Sequence, residues 1–174
     1  VKGVFVKNAG LSVLLALGAC AAGTPPVALE PNPSSVETVT VSVGPCFGFC
    51  PVFDVTIASD GAVSFVGQRH TAVLGARRRE AGADAYKMLA SELAAFRPTL
   101  GTEARIPCDA AISDTSSYTV TWRGSDGRLT VATLQSRCPS GPAERLDAML
   151  RELPDRLGIA DWAKQTSRPG VSRG

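Results

Sequence analysis

The chain has 174 residues, of which 44% are apolar, 20% charged and 6% aromatic; this suits about one domain of roughly 100–200 residues and excludes disorder throughout. Scarce aromatics argue against a stacking surface for single-stranded nucleic acid. The 18 Lys and Arg exceed the 16 Asp and Glu by two, yet Lys2 and Lys7 fall in an acid-free leader, so the remainder is neutral and the electrostatic case for nucleic-acid binding falls away.

Residues 1–19 show the zones of a secretory signal: Lys2 and Lys7 in front, the apolar run Ala9 to Leu17, then small residues. That run is too short for a transmembrane helix, which needs about 20 apolar residues. Leu17-Gly18-Ala19-Cys20 resembles a lipobox, in which the peptide is cut before the cysteine and the thiol takes a diacylglyceryl group. We therefore expect lipidation at Cys20, with the acyl chains as the link to a membrane. Ala21 in place of Asp is the pattern that permits passage to the outer membrane, facing the periplasm. Pro25, Pro26, Pro31 and Pro33 make the segment to residue 35 an extended tether, with a reach of roughly 45 Å.

Val39, Val41 and Val43 alternate with Thr and Ser, as in a half-buried strand. Phe53, Val55 and Ile57 repeat the alternation, Ser59-Asp60-Gly61 offers a hairpin turn, and Val63 and Phe65 return. A weaker strand is expected over Thr71 to Arg78. A helix follows at about Asp84 to Phe96, with Tyr86, Leu89, Leu93 and Phe96 on one stripe, stopped by Pro98. The order then recurs: Tyr118, Val120 and Trp122 alternate, Ser125-Asp126-Gly127 turns, and Leu129 and Val131 return. Pro142 opens a helix with Leu146, Met149, Leu150 and Leu153 on one face. These elements predict an α+β fold: a single antiparallel sheet from two hairpin-plus-helix units, with two helices packed on one face. The expected organisation is a signal peptide at 1–19, the lipidated cysteine and tether at 20–35, a disulfide-stapled domain at 36–162 and a loose tail at 163–174.

Of the five cysteines, lipidation of Cys20 leaves Cys46, Cys50, Cys108 and Cys138, an even number suited to two disulfides in an oxidising compartment. Three connectivities are possible. Cys46–Cys50 with Cys108–Cys138 is preferred, because Gly48 can supply the tight turn the short loop requires. A zinc site of four thiolates and a redox pair are the competing readings. The first conflicts with an oxidising envelope, and the second with a C-x3-C spacing that leads into a strand.

Pro45-Cys46-Phe47-Gly48-Phe49-Cys50-Pro51-Val52-Phe53, with Asp60-Gly61 and Val66-Gly67 behind it, resembles the signature of the bacterial domain-of-unknown-function family 6438, over about residues 36–162. The resemblance implies a small envelope lipoprotein or secreted domain and carries no activity. Cys108 and Cys138 are an extra pair relative to the simplest members.

His70 is the only histidine, and a solvated surface position is its expected state. Asp109 and Asp114 flank Ile112 in the loop after Cys108, as a carboxylate pair, an oxygen cation site or ordinary turn residues. Arg77-Arg78-Arg79 is the sharpest charge run; on a strand its side chains alternate between faces, so we read it first as edge protection and second as a contact for anionic headgroups or glycan carboxylates. No cofactor and no metal are expected. The leading expectation is a non-enzymatic envelope lipoprotein whose domain binds another envelope protein or glycan. The alternative is a periplasmic hydrolase or cation-dependent enzyme built on Asp109, Asp114 and His70.

Overall fold

The computed structural model describes residues 36–167, together with Val1 and Gly3. The expected cleavage point, Cys20 and the tether to residue 35 lie outside the described residues, as does the tail from residue 168. Strand β1 (Thr38–Val43) is hydrogen-bonded along both edges, to β2 (Val52–Ala58) and to β6 (Ser117–Arg123), antiparallel in each case. Its valines explain this central place: Val39 and Val41 are each 1% exposed, and β-branched side chains suit a pleated, packed surface.

On one side the sheet continues from β2 to β3 (Ala62–Arg69) and β4 (Gly75–Glu80) as a meander; on the other β6 pairs with β7 (Leu129–Gln135), and the short β5 (Glu103–Arg105) lies outside β7. The order is β4-β3-β2-β1-β6-β7-β5, and β5 runs parallel to β7. This corrects the expected architecture of a single antiparallel sheet made from two hairpin-plus-helix units. The sheet is mixed, has seven strands and dominates the fold. The strand order is not that of two hairpin-plus-helix units, because β1 lies between the two hairpins and β4 and β5 occupy the outer edges. The three exposed residues Glu103 to Arg105 carry no readable alternation, and the arginines of β4 are tolerated because all six of its residues are exposed.

The hairpins themselves do echo one another. Asp60 Oδ1 accepts the Ala62 amide at 2.9 Å, and Asp126 Oδ1 accepts the Arg128 amide at 2.9 Å. Both turns place glycine in left-handed backbone, Gly61 at φ 95° and Gly127 at φ 81°.

Two helices seal one face. Helix α1 (Ala83–Leu93) runs into a 3-10 turn (Ala94–Phe96) and buries Leu89 and Leu93, one turn apart. Helix α2 (Gly141–Arg156) has proline in its first turn, where a missing N–H costs nothing, and buries Ala143, Leu146, Leu150 and Leu153 at helical spacing. A short α3 (Ala160–Ala163) adds Ala163, and Trp162 packs on Phe65 with ring centroids 5.9 Å apart. At the far ends of α1 and α2, Arg156 grips Glu92 through two bonds of 2.6 and 2.7 Å, which holds the Glu92 carboxyl below the ordinary carboxylate range. The domain's contacts run past residue 162: Gln165 bridges Thr71, and the Thr166 amide donates to the His70 carbonyl at 3.1 Å.

Cys46 pairs with Cys50 and Cys108 with Cys138, with Cα atoms 5.7 and 5.9 Å apart. The second bridge ties the loop after β5 to the loop before α2. Replacing both of its cysteines by serine is expected to cost about 3–4 kcal/mol, from the loop-closure entropy of a 30-residue separation. Gly67→Ala is expected to cost about 1–3 kcal/mol, since the added Cβ would run into the Val73 carbonyl and the Thr71 hydroxyl. Urea unfolding of each variant checks both values.

Candidate functional site

At one end of the central strand a single cross-sheet row forms a floor: Val43 of β1 faces Phe53 of β2 on one side and Tyr118 of β6 on the other. The side-chain period of two sends all three to the helix-covered face. Beyond that row α2 does not close over the sheet completely, and a cleft of about 520 Å³ remains. Its outer wall is the disulfide loop with Cys46, Phe47, Cys50 and Pro51. Leu150, Arg151 and Pro154 of α2 form a second wall, and Ala163 and Gln165 a third.

The loop presents its aromatics outward. Phe47 is 89% exposed, and Phe49 stacks edge-on against His70, with centroids 5.2 Å apart. Gly48 lies at φ 144°, a conformation that side-chain-bearing residues rarely adopt, and the Phe47 amide donates to the Asp114 carbonyl at 3.2 Å.

Opposite the loop the walls are polar. Asp147, 1% exposed on the buried face of α2, accepts the Arg137 amide and Arg151 Nε, each at 3.0 Å. This carboxylate fixes the position of both arginines while the Arg137 guanidinium makes no hydrogen bond among the described residues. Tyr118 is also buried, and its hydroxyl has no hydrogen-bond partner among the described residues. No fully buried side-chain N or O there lacks a partner, so that hydroxyl opens to the cleft. Burial, and then the nearby Asp147 carboxylate, push Tyr118 up to about 12, against opposition from Arg151 and Arg137. It is therefore a proton donor throughout the physiological range.

Backbone strain marks the same region. Among the described residues, the non-glycine residues in left-handed backbone are His70, Asp114 and Arg137, at φ 59°, 65° and 59°. Asp114 and Arg137 line the cleft, and His70 packs on the disulfide loop. Such conformations cost of order 1–3 kcal/mol each and gather at functional sites.

The candidate residues taken from the sequence are distributed as follows. Asp114 is in the cleft wall, whereas Asp109 and His70 are not. Among the described residues no hydrogen bond or ion pair joins any two of Asp109, Asp114 and His70, and no group of three or more His, Cys, Asp or Glu is placed to hold a metal. His70 is half-buried and not freely solvated; its Nδ1 lies 3.0 Å from the Ser167 hydroxyl. Arg77 and Arg79 pair with Phe65 and Val63 and so point to the helix-covered side, while Arg78 pairs with Ser64 and points to the other. Arg79 donates to the Gly158 carbonyl, and Arg77 donates to the Ala76 carbonyl at 2.9 Å. The run lies away from the cleft.

Tyr118, Arg137, Arg151 and Asp147 were not singled out in the sequence. One signal was present: Asp147 interrupts the apolar stripe of α2 between Leu146 and Leu150, with Arg151 one turn beyond it. An acid on a buried face implies a partner.

The shift of Tyr118 has a measurable sign. Its stabilising effect is fully present below pH 10 and is lost as pH rises through about 12, because the unfolded chain gives up the phenolic proton first. Tyr118→Phe is expected to remove about 2–3 kcal/mol of this alkaline loss, read from denaturant unfolding at successive pH values.

The two disulfides are the chemistry of an oxidising, extracytoplasmic compartment. Among the described residues no helix is long and apolar enough to cross a membrane. No curated protein and no solved structure is detectably similar to the chain. The family model described as a domain of unknown function, DUF6438, matches residues 37–156, from the start of β1 to the end of α2. Spanning every strand, both disulfides and two of the three cleft walls, that match shows that the chain belongs to the DUF6438 family.

Proposed function

We propose that this chain is a cell-envelope lipoprotein, held at the outer membrane by acyl chains on Cys20 and facing the periplasm, whose domain binds another envelope component, protein or glycan, without catalysing a reaction. The observation that carries the reading is the cleft beside the signature loop. It joins an apolar floor to a few fixed polar groups, the usual make-up of a binding site, and its volume lies within the roughly 300–1,000 Å³ of small-ligand pockets. The exposed Phe47 beside it supplies an aromatic anchor of the kind enriched at interfaces. The oxidised cysteines fit an extracytoplasmic address, and the proline-rich tether would keep the domain clear of the lipid surface.

Two measurements test this. Intact mass of the protein from membranes is expected to show a lipid adduct on Cys20 and no free thiol among the other four cysteines. A cytoplasmic chain that keeps residues 1–19 would overturn the anchored reading. A photo-crosslinking residue in place of Phe47 is expected to yield one recurrent envelope adduct in cells, and the same probe at Thr40, on the open face of the sheet, none. Indistinguishable adducts from the two positions would count against the cleft as the binding site.

A further inference from the structure

The charges and polar groups around the cleft are arranged unevenly, and this bears on its ligand. The inference rests on the binding reading above and narrows it. Three residues that line the cleft carry donors: Tyr118 of β6 its hydroxyl, Arg137 of the loop before α2 its guanidinium, and Arg151 of α2 the part of its guanidinium not committed to Asp147. The acids of this region are in part accounted for. Asp147 is buried and already accepts two bonds, and Glu144 borders an adjoining depression on the other side of the arginines, not the cleft itself. Toward the floor the surface is apolar, with Val43, Phe53, Leu150 and Ala163. The remaining walls carry Asp114, Thr115, Ser116, Ser136 and Gln165.

We infer that the cleft binds the C-terminal end of an extended peptide, with the terminal carboxylate at Tyr118, Arg137 and Arg151 and the last side chain on the apolar floor. Guanidinium groups are suited to carboxylates by their fork of N–H donors, and capture of a free C-terminus is a recurring mode of peptide recognition. The polar walls decide against the other anionic amphiphile, a fatty acid. A long acyl chain lying against Asp114, Ser116 and Gln165 would strip them of water and return no hydrogen bond, whereas peptide amides can pair with them. Asp114 and Arg137 are held in left-handed backbone, with the Asp114 carbonyl bonded to the Phe47 amide and the Arg137 amide to Asp147, so these walls are fixed before any ligand arrives, which lowers the ordering cost of binding.

The test uses the full chain carrying Cys20→Ser, isotope-labelled and titrated with a pool of N-acetylated tetrapeptides ending in Ala, Val or Leu with free carboxylates. The same pool amidated at the C-terminus, and decanoate, are the comparison arms. Saturable amide shifts at Phe47, Arg137 and Arg151 are expected with the free-carboxylate pool, and at least about tenfold weaker binding with the amidated pool, as follows from losing a charge-assisted hydrogen bond. Arg137→Gln and Arg151→Gln are each expected to weaken the free-carboxylate pool about tenfold. Arg137→Gln leaves the ion pair to Asp147 intact and serves as the variant of unaltered fold, checked by an otherwise unchanged spectrum. Equal binding of the two pools would overturn the proposal, as would absence of saturable shifts at millimolar peptide. Decanoate moving the same residues while peptides do not would also overturn it and leave the broader binding reading standing. Loss of the Phe47 crosslink in cells is the separate result that removes that reading.

Discussion

Everything at the cleft depends on the register of one strand. β1 exchanges hydrogen bonds with β2 and β6 along its whole length, and a slip of a single residue would turn Val39, Val41 and Val43 to the open face. The same slip would break the row Phe53–Val43–Tyr118 that floors the cleft. The apolar burial that stabilises the sheet therefore also sets the position of the Tyr118 hydroxyl. Core and site are not separable here, and a substitution that loosens β1 reaches the cleft without touching it.

The rest of the site is placed by a second, local device. Asp147 sits among leucines on α2 and needs partners for its charge; it finds the Arg137 amide and Arg151 Nε. A buried carboxylate left unpaired is costly, so the pairing holds the loop before α2 in a strained left-handed turn that an arginine would not choose in isolation. The disulfide loop is likewise held through backbone, by the bond from the Phe47 amide to the Asp114 carbonyl. Two loops distant in sequence that line the cleft are thus each held by a contact that uses a main-chain group.

Much of this was legible in the residues. Alternating apolar positions mark β1, β2, β3, β6 and β7, and Ser-Asp-Gly marks both hairpin turns, whose Asp side chains cap the following amides in the same way. Topology was not legible, because alternation gives the face a strand presents and not the neighbour it pairs with. The central place of β1 arises from pairing on both edges, and the parallel pairing of β5 comes from a three-residue segment with no pattern. The site was half legible: the cysteine block announces itself, while Tyr118 reads as an ordinary core residue of its strand. Only the acid embedded in the leucine stripe of α2 hinted that something beside the helix was polar by requirement.

The walls of the cleft have unequal standing with respect to the family. Floor, disulfide loop and α2 lie within residues 37–156, whereas Ala163 and Gln165 come from beyond them. That last stretch is pinned at its margin, by Gln165 on Thr71 and Thr166 on the His70 carbonyl, and adds no strand to the sheet. The third wall of the cleft thus rests on residues beyond the family match, while its floor and its other two walls rest within it.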